Sequence, residues 1–241
     1  MFEKKNNIFF HFKQFSVRHH QSSFKVGFDG VLLGAWASFN NDKKILDIGT
    51  GSGLIALIAA QQNPEALITA IEPDAESFSD ASFNFKNCKW SDRFILSNNT
   101  LLQFEKTNET SFDHIISNPP FFDNTLPPPS KSKQLSRHTV TLSHSDILIY
   151  FTHNSSDKGK LSLILPTQQA DDLLILAEYL KIQNSRKTNL ITKTSKKRVL
   201  LEFCKNNTAK KENKDLIIYN EDGSYSAEYL DLVGELYLNL G

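Results

Sequence analysis

The sequence predicts an α/β protein with a largely parallel, doubly wound sheet, and three observations carry that prediction. From residue 43 onward, short apolar β-rich runs alternate with amphipathic helical stretches, the pattern of strands joined by crossover helices. The alternating glycines Gly49, Gly51 and Gly53 fall where the first such strand gives way to the first such helix. The second strand then ends in an acid, Glu72, where nucleotide-binding sheets of this class hold their ligands.

Taken in chain order, residues 1–29 are aromatic and basic, and Val31 to Ala37 reads as a short helix. Lys44 to Ile48 is the first strand of the repeating pattern, and Leu54 to Gln62 its helix. Leu67 to Ile71 forms the second strand, followed by a helix from Asp74 to about Asn87. Phe94 to Leu96 is a third, weaker strand and Phe112 to Ser117 a fourth. Ser143 to His153 is predicted helical, and Lys160 to Leu165 is a fifth strand stopped by Pro166. A helix from Thr167 to Leu180 precedes two β-rich runs, Asn189 to Thr192 and Arg198 to Phe203. A strand over Leu216 to Tyr219 and a helix from Tyr225 to Leu238 close the chain. Leu126 to Lys133, with three consecutive prolines, is the best candidate for a mobile loop, and Asn206 to Asn213 reads as a polar connector.

A chain of 241 residues suits one α/β unit with additions, and 18 phenylalanines supply a sizeable core. Lysine and arginine balance aspartate and glutamate at 27 each, which excludes a uniformly basic protein but allows a basic face. Cys88 and Cys204 have neither zinc-ligand spacing nor the density of a secreted scaffold, so they read as reduced thiols of a cytosolic protein. No run approaches the roughly 20 apolar residues of a membrane span, and the amino terminus lacks a signal-peptide core. The expectation is a soluble, cytoplasmic protein. The adjacent His19 and His20 lack a matching set of acids or thiols, so no metal site is expected. Neither a Ser/His/Asp nucleophile motif nor a Walker-type phosphate loop is present.

Two local patterns carry chemistry. In Asp47-Ile48-Gly49-Thr50-Gly51-Ser52-Gly53 the glycines let the backbone turn sharply and approach a ligand closely. A dinucleotide fingerprint would require glycine at position 54, which is Leu54, so the acid and its glycines suit a ligand with an amino-acid tail better than a pyrophosphate. A carboxylate at Glu72 can accept hydrogen bonds from both hydroxyls of a ribose. Together these favour an adenosine-containing cofactor, against the plainer readings of an incidental β–α turn and a solvated acid. The second pattern is Asn118-Pro119-Pro120-Phe121, directly after the fourth strand. Two prolines hold the backbone extended, so the Asn118 side-chain oxygen can stand beside a backbone carbonyl as a pair of acceptors for one amino group. Phe121 offers an apolar face to a flat ring. Taken alone, the same tetrapeptide is also an ordinary turn former.

Asp47 to Gly53, Glu72 and Asn118 to Phe121, in that order, resemble the Rossmann-like class I S-adenosylmethionine-dependent methyltransferases that modify exocyclic or amide nitrogens. Phe12-Lys13-Gln14-Phe15, Lys25-Val26-Gly27 and Asp29-Gly30 with Leu32-Leu33-Gly34-Ala35-Trp36 further resemble the bacterial tRNA1(Val) adenine-37 N6-methyltransferase family, as do Arg198-Val199-Leu200-Leu201 and Tyr225-Ser226. The resemblance implies a seven-stranded, mostly parallel sheet with a reversed last hairpin, preceded by an N-terminal extension over residues 1–40 that packs near the cofactor and substrate. Residues 41–241 would form the methyltransferase domain. It implies S-adenosyl-L-methionine as cofactor, held by Lys25, Asp47, Gly49, Gly51, Gly53, Glu72 and Thr100, the last standing where the family often has an acid.

By the same resemblance, Asn118, Pro119 and Phe121 would be catalytic, with Pro120 and Phe122 against the substrate and the anticodon loop of a tRNA as partner. Three basic stretches can meet its phosphates: Lys4, Lys5, Lys13, Arg18 and Lys25; Lys131, Lys133, Arg137 and His138; and the acid-free segment 181–198, holding Lys181, Arg186, Lys187, Lys193, Lys196, Lys197 and Arg198. The stretch at 131–138 is preferred because it follows the catalytic motif, and ordinary surface charge is the competing reading for each. Three other functions stay open: methylation of guanine N2 in rRNA, where Asn-Pro-Pro-Phe also occurs, methylation of a protein glutamine, and a non-catalytic cofactor-binding module.

Overall fold

The computed structural model describes residues 8–22, 25–120, 142–192, 195–206 and 211–239. Its sheet contains β3 (Lys44–Ile48), β4 (Leu67–Ile71), β5 (Phe94–Ser97), β6 (Phe112–Ser117), β7 (Ser155–Pro166), β8 (Gln183–Thr192), β9 (Ser195–Cys204) and β10 (Glu212–Ile217). They lie in the order β10-β8-β9-β7-β6-β3-β4-β5. Only β9 runs against its neighbours; it pairs antiparallel with β7 and β8, whereas β10 is parallel to β8. Seven of these strands match the expected sheet with its reversed hairpin. The sheet has eight strands and not the seven the resemblance implied; the eighth, β10 at the edge, is the last strand expected from the sequence, shifted toward the amino terminus.

Side-chain alternation along β3 shows why the sheet is covered on both faces. Ile45 belongs to one apolar cluster with α1 (Phe28–Trp36) and α2 (Leu54–Gln62), while Leu46 and Ile48 belong to the other. The first cluster also receives Ala81 and Phe85 of α3 (Ala75–Lys86) and Tyr229 and Val233 of α7 (Ala227–Val233). The second receives Leu101 of α4 (Leu101–Glu105), Ile147 and Phe151 of α5 (His144–Asn154), and Ala170 and Leu173 of α6 (Thr167–Tyr179).

The expected elements are all present, but β7 and β8 begin earlier than expected, β10 lies over Glu212–Ile217 where Leu216 to Tyr219 was expected, and the chain ends differ in two ways. Phe9–His11 and Ser16–Arg18 form an antiparallel hairpin, β1 and β2, inside the segment read only as aromatic and basic. The last helix is shorter than Tyr225 to Leu238. The Ser226 hydroxyl accepts the Tyr229 amide and starts it late, and Tyr237 leaves it to bridge with Phe12. The carboxyl-terminal segment is thereby tied to the hairpin, and Lys13 donates its amide to the Leu236 carbonyl.

Candidate active site

The carboxyl ends of β3, β4 and β6 bring the predicted chemistry together. The chain leaves β3 through Gly49, Gly51 and Gly53, with φ of 69°, 58° and 86°. At Gly49 and Gly51 an added Cβ would meet no atom within 4 Å, whereas at Gly53 it would lie 2.5 Å from the Phe85 ring. Gly53 is therefore required by packing, and the first two leave the backbone open to a ligand. The Gly49 and Thr50 amides donate to the Ile71 carbonyl, which fastens the turn to the end of β4.

Asp47 is almost fully buried beneath this turn. The Thr50 hydroxyl donates to its Oδ2 at 2.6 Å, while Oδ1 has no hydrogen-bond partner. Burial, only partly offset by the Thr50 hydroxyl, pushes its carboxyl up to about 7, and the charge of Glu72 acts in the same direction. Glu72, also buried, accepts the Gly51 amide at 2.8 Å and the Asp74 amide at 2.9 Å, one on each oxygen. Each carboxylate oxygen keeps capacity for a further donor. Burial raises the Glu72 pKa as well, against the pull of these two amides.

These observations fit S-adenosylmethionine. The orphaned Asp47 oxygen matches an ammonium group, the open Gly49–Gly51 backbone admits an amino-acid tail, and Glu72 is placed for ribose hydroxyls. Thr100 is engaged otherwise. It caps α4, accepting the Gln103 amide at 3.2 Å while its hydroxyl and amide face the Gln103 side-chain oxygen. Nearby, Asn98 donates to the Glu72 carbonyl and Asn99 to the Ser97 hydroxyl. The Lys25 ammonium donates to the carbonyls of His19 and His20 at 2.6 and 3.3 Å, so it organises its own segment.

Asn118 and Pro119 follow β6 at the same sheet end, with Ser117 anchored by donating to the Ile48 carbonyl at 2.7 Å. α1 begins against them: a Cβ at Gly30 would lie 3.8 Å from Asn118 Nδ2 and 3.1 Å from Leu54 Cδ2. Pro119 is buried and Pro120 half-buried. Phe121, Phe122, Lys131, Lys133, Arg137 and His138 lie outside the described residues, as do Lys4, Lys5, Lys193 and the predicted proline loop.

Asn84, which the sequence reading did not single out, links the pieces. Its amide group donates to the carbonyls of Ser52 and Arg18, and its oxygen accepts the Arg18 amide. Asp80 on the same helix accepts from Arg18, Gln21 and Ser22. Burial opposes ionisation of Asp80, but these hydrogen bonds outweigh it and hold the carboxyl below its usual range. The N-terminal segment is thus latched to the glycine turn through α3. Nothing in an isolated asparagine on an amphipathic helix signals this.

The basic segment 181–198 is less free than its sequence suggests. Strand pairing brings in acids from elsewhere: Arg186 lies 3.7 Å from Glu202 and 3.6 Å from Glu212, Lys187 3.3 Å from Asp171, and Arg198 3.0 Å from Asp29. Among the described residues no group of three or more His, Cys, Asp or Glu side chains can hold a metal, and no helix is long and apolar enough to cross a membrane.

Residues 31–135 match the Methyltransferase small domain family. A protein of Trichodesmium erythraeum named tRNA1(Val) (adenine(37)-N6)-methyltransferase is 39% identical over 233 residues, covering 95% of this chain and 97% of its own. Among solved structures, a predicted O-methyltransferase from Agrobacterium tumefaciens superposes with a TM-score of 0.62 at 17% identity, covering 86% of this chain and 96% of that one. M. capricolum TrmK, solved with S-adenosyl-homocysteine, gives 0.54 at 15% identity, with 78% and 72% covered. At these identities the two structures speak to the fold alone.

Proposed function

The chain belongs to the tRNA1(Val) (adenine(37)-N6)-methyltransferase family, and from that premise we propose how its own residues carry out S-adenosylmethionine-dependent methylation of adenine 37 at N6 in the anticodon loop. The observation that carries the assignment of roles is the meeting of Asn118-Pro119 with the glycine turn at one end of the sheet, sealed by Gly30. Asp47 and the Gly49–Gly51 backbone hold the amino-acid tail of the cofactor, and Glu72 holds its ribose. When bound, S-adenosylmethionine supplies a methyl group already activated on a positively charged sulfur, so the site needs no strong base.

The protein's task is therefore alignment and exclusion of water. The Asn118 side-chain oxygen and the Pro119 carbonyl accept the two hydrogens of the adenine amino group. Pulling on both N–H bonds returns electron density to a nitrogen whose lone pair is otherwise conjugated into the ring. Pro120, Phe121 and Phe122 enclose the base, Phe121 by stacking. Lys131, Lys133, Arg137 and His138 follow the motif closely enough to meet the phosphates of the same loop. Lys25 and Thr100 act indirectly, through the fold of residues 19–25 and of the loop before α4. Action on tRNA places the protein in the cytoplasm.

An unmodified tRNA1(Val) transcript offered with labelled cofactor is expected to accept one methyl group. The same transcript with guanine at position 37 is expected to accept none. Equal labelling of both would contradict the assignment and favour a guanine amino group or another acceptor.

A further inference from the structure

At the same end of the sheet as the acceptor site lies an open pocket of about 190 Å³ walled by Phe28, Asp29, Leu190, Thr192, Lys197 and Arg198. We propose that it receives a nucleotide flanking the methylated adenine, its base against Phe28 and its phosphate against Lys197. The inference rests on the reading of the chain as an enzyme acting on an RNA loop and adds to it a site for a second base.

Arg198 pairs with Pro166 of β7 and Leu190 of β8, at the ends of strands that run parallel to β6, so the cavity opens where Asn118 does. Asp29 is the chain neighbour of Gly30, which packs on Asn118. The wall of the cavity thus begins next to the residue bordering the acceptor clamp and extends to β9 and β8, two and three strands from β6, about 10 and 14 Å at the usual strand spacing. That span suits a neighbouring nucleotide splayed away from the methylated base.

Chemistry follows. The Phe28 ring stacks on Tyr229 with centroids 5.7 Å apart and an interplanar angle of 21°, and the column continues through Tyr225 at 4.8 Å to Tyr219 at a further 5.2 Å. A ring held from behind in this way is a rigid platform, and unstacked RNA bases are bound on such platforms. Asp29 fixes the Arg198 guanidinium along the wall through its Nε at 3.0 Å. Lys197 is exposed beside it and makes no ion pair with the described residues. An aromatic wall beside the exposed cation Lys197, with Arg198 held and largely neutralised by Asp29, is the composition of a site for a single-stranded nucleotide.

The test uses the full-length protein, S-adenosylmethionine and unmodified tRNA1(Val) transcripts, including transcripts abasic at position 36 or at position 38. Phe28→Leu is expected to raise KM for the intact transcript about tenfold with little change in kcat. One of the two abasic transcripts should show a similar rise with the parent protein and no further rise with Phe28→Leu. Lys197→Ala, at an exposed position where folding is not at risk, should lower the slope of log KM against log salt by about 0.7, one phosphate contact on a single strand. Calorimetric affinity for S-adenosylmethionine should be unchanged in both variants. The inference is overturned if the parent methylates tRNA normally but neither substitution alters KM or the salt slope. It is equally overturned if the Phe28→Leu penalty persists in full on both abasic transcripts, or if cofactor affinity falls. Absence of methyl transfer by the parent protein would instead count against the enzymatic reading itself.

Discussion

Replacing Asn118 by alanine is expected to leave affinity for S-adenosylmethionine unchanged and to lower methyl transfer at least about tenfold, a rise of about 1.4 kcal/mol in the barrier. The cofactor contacts assigned to Asp47 and Glu72 lie on β3 and just after β4, and Asn118 takes no part in the hydrogen bonds of either acid. Truncation leaves the Pro119 carbonyl as the single acceptor for the amino group, so one of two N–H bonds is no longer polarised and the base loses its fixed orientation. Because the loss falls on alignment at the reacting nitrogen, it should be read in kcat more than in KM. Asn118→Asp keeps an acceptor of the same reach and should retain more activity than the alanine variant. Single-turnover rates at saturating tRNA measure both. Full activity in Asn118→Ala would remove the clamp from the mechanism.

The second large effect separates binding from stability. Asp47→Asn is expected to weaken S-adenosylmethionine binding by about a hundredfold, since a neutral amide replaces a buried carboxylate facing an ammonium group. The same substitution should change the pH dependence of folding. With a carboxyl pKa of about 7 in the folded protein, Asp47 keeps a proton between about pH 4 and 7 that the unfolded chain has released. Stability of the ligand-free parent therefore falls as pH rises through that window and levels above it, by as much as about 4 kcal/mol from this group. Thermal melts should show the variant gaining on the parent from pH 5 to pH 8. Cofactor binding runs the other way. It requires the charged carboxylate, so parent affinity should drop up to tenfold per unit as pH falls below about 7, and the variant should lack that dependence. An unchanged affinity in Asp47→Asn would sink the placement of the amino-acid tail.

Much of this site is legible in the sequence because its residues sit next to strand ends. Asp47, Glu72 and Asn118 each stand at or just after a run of apolar β-formers, and the parallel arrangement carries all three to one edge of the sheet. What escaped the sequence depends on partners distant along the chain. The β1–β2 hairpin is held by Asp80 and Asn84, some sixty residues away, and its own alternation is too short to announce it. The helix expected to continue to Leu238 is drawn off by the bridge between Phe12 and Tyr237, a tertiary contact that overrides local propensity. Segment 181–198 looks unpaired in one dimension, yet Asp29, Asp171, Glu202 and Glu212 reach Arg198, Lys187 and Arg186 across the sheet. The Phe28 platform is assembled likewise from residues nearly two hundred positions apart.

The most direct measurement takes total tRNA from a strain lacking this protein, incubates it with the purified protein and S-adenosylmethionine, and maps the product by mass spectrometry of ribonuclease fragments. N6-methyladenosine is expected in the fragment of tRNA1(Val) that contains position 37 and in no other fragment. A methylated guanine, or methyladenosine at another position with position 37 unmodified, would contradict it.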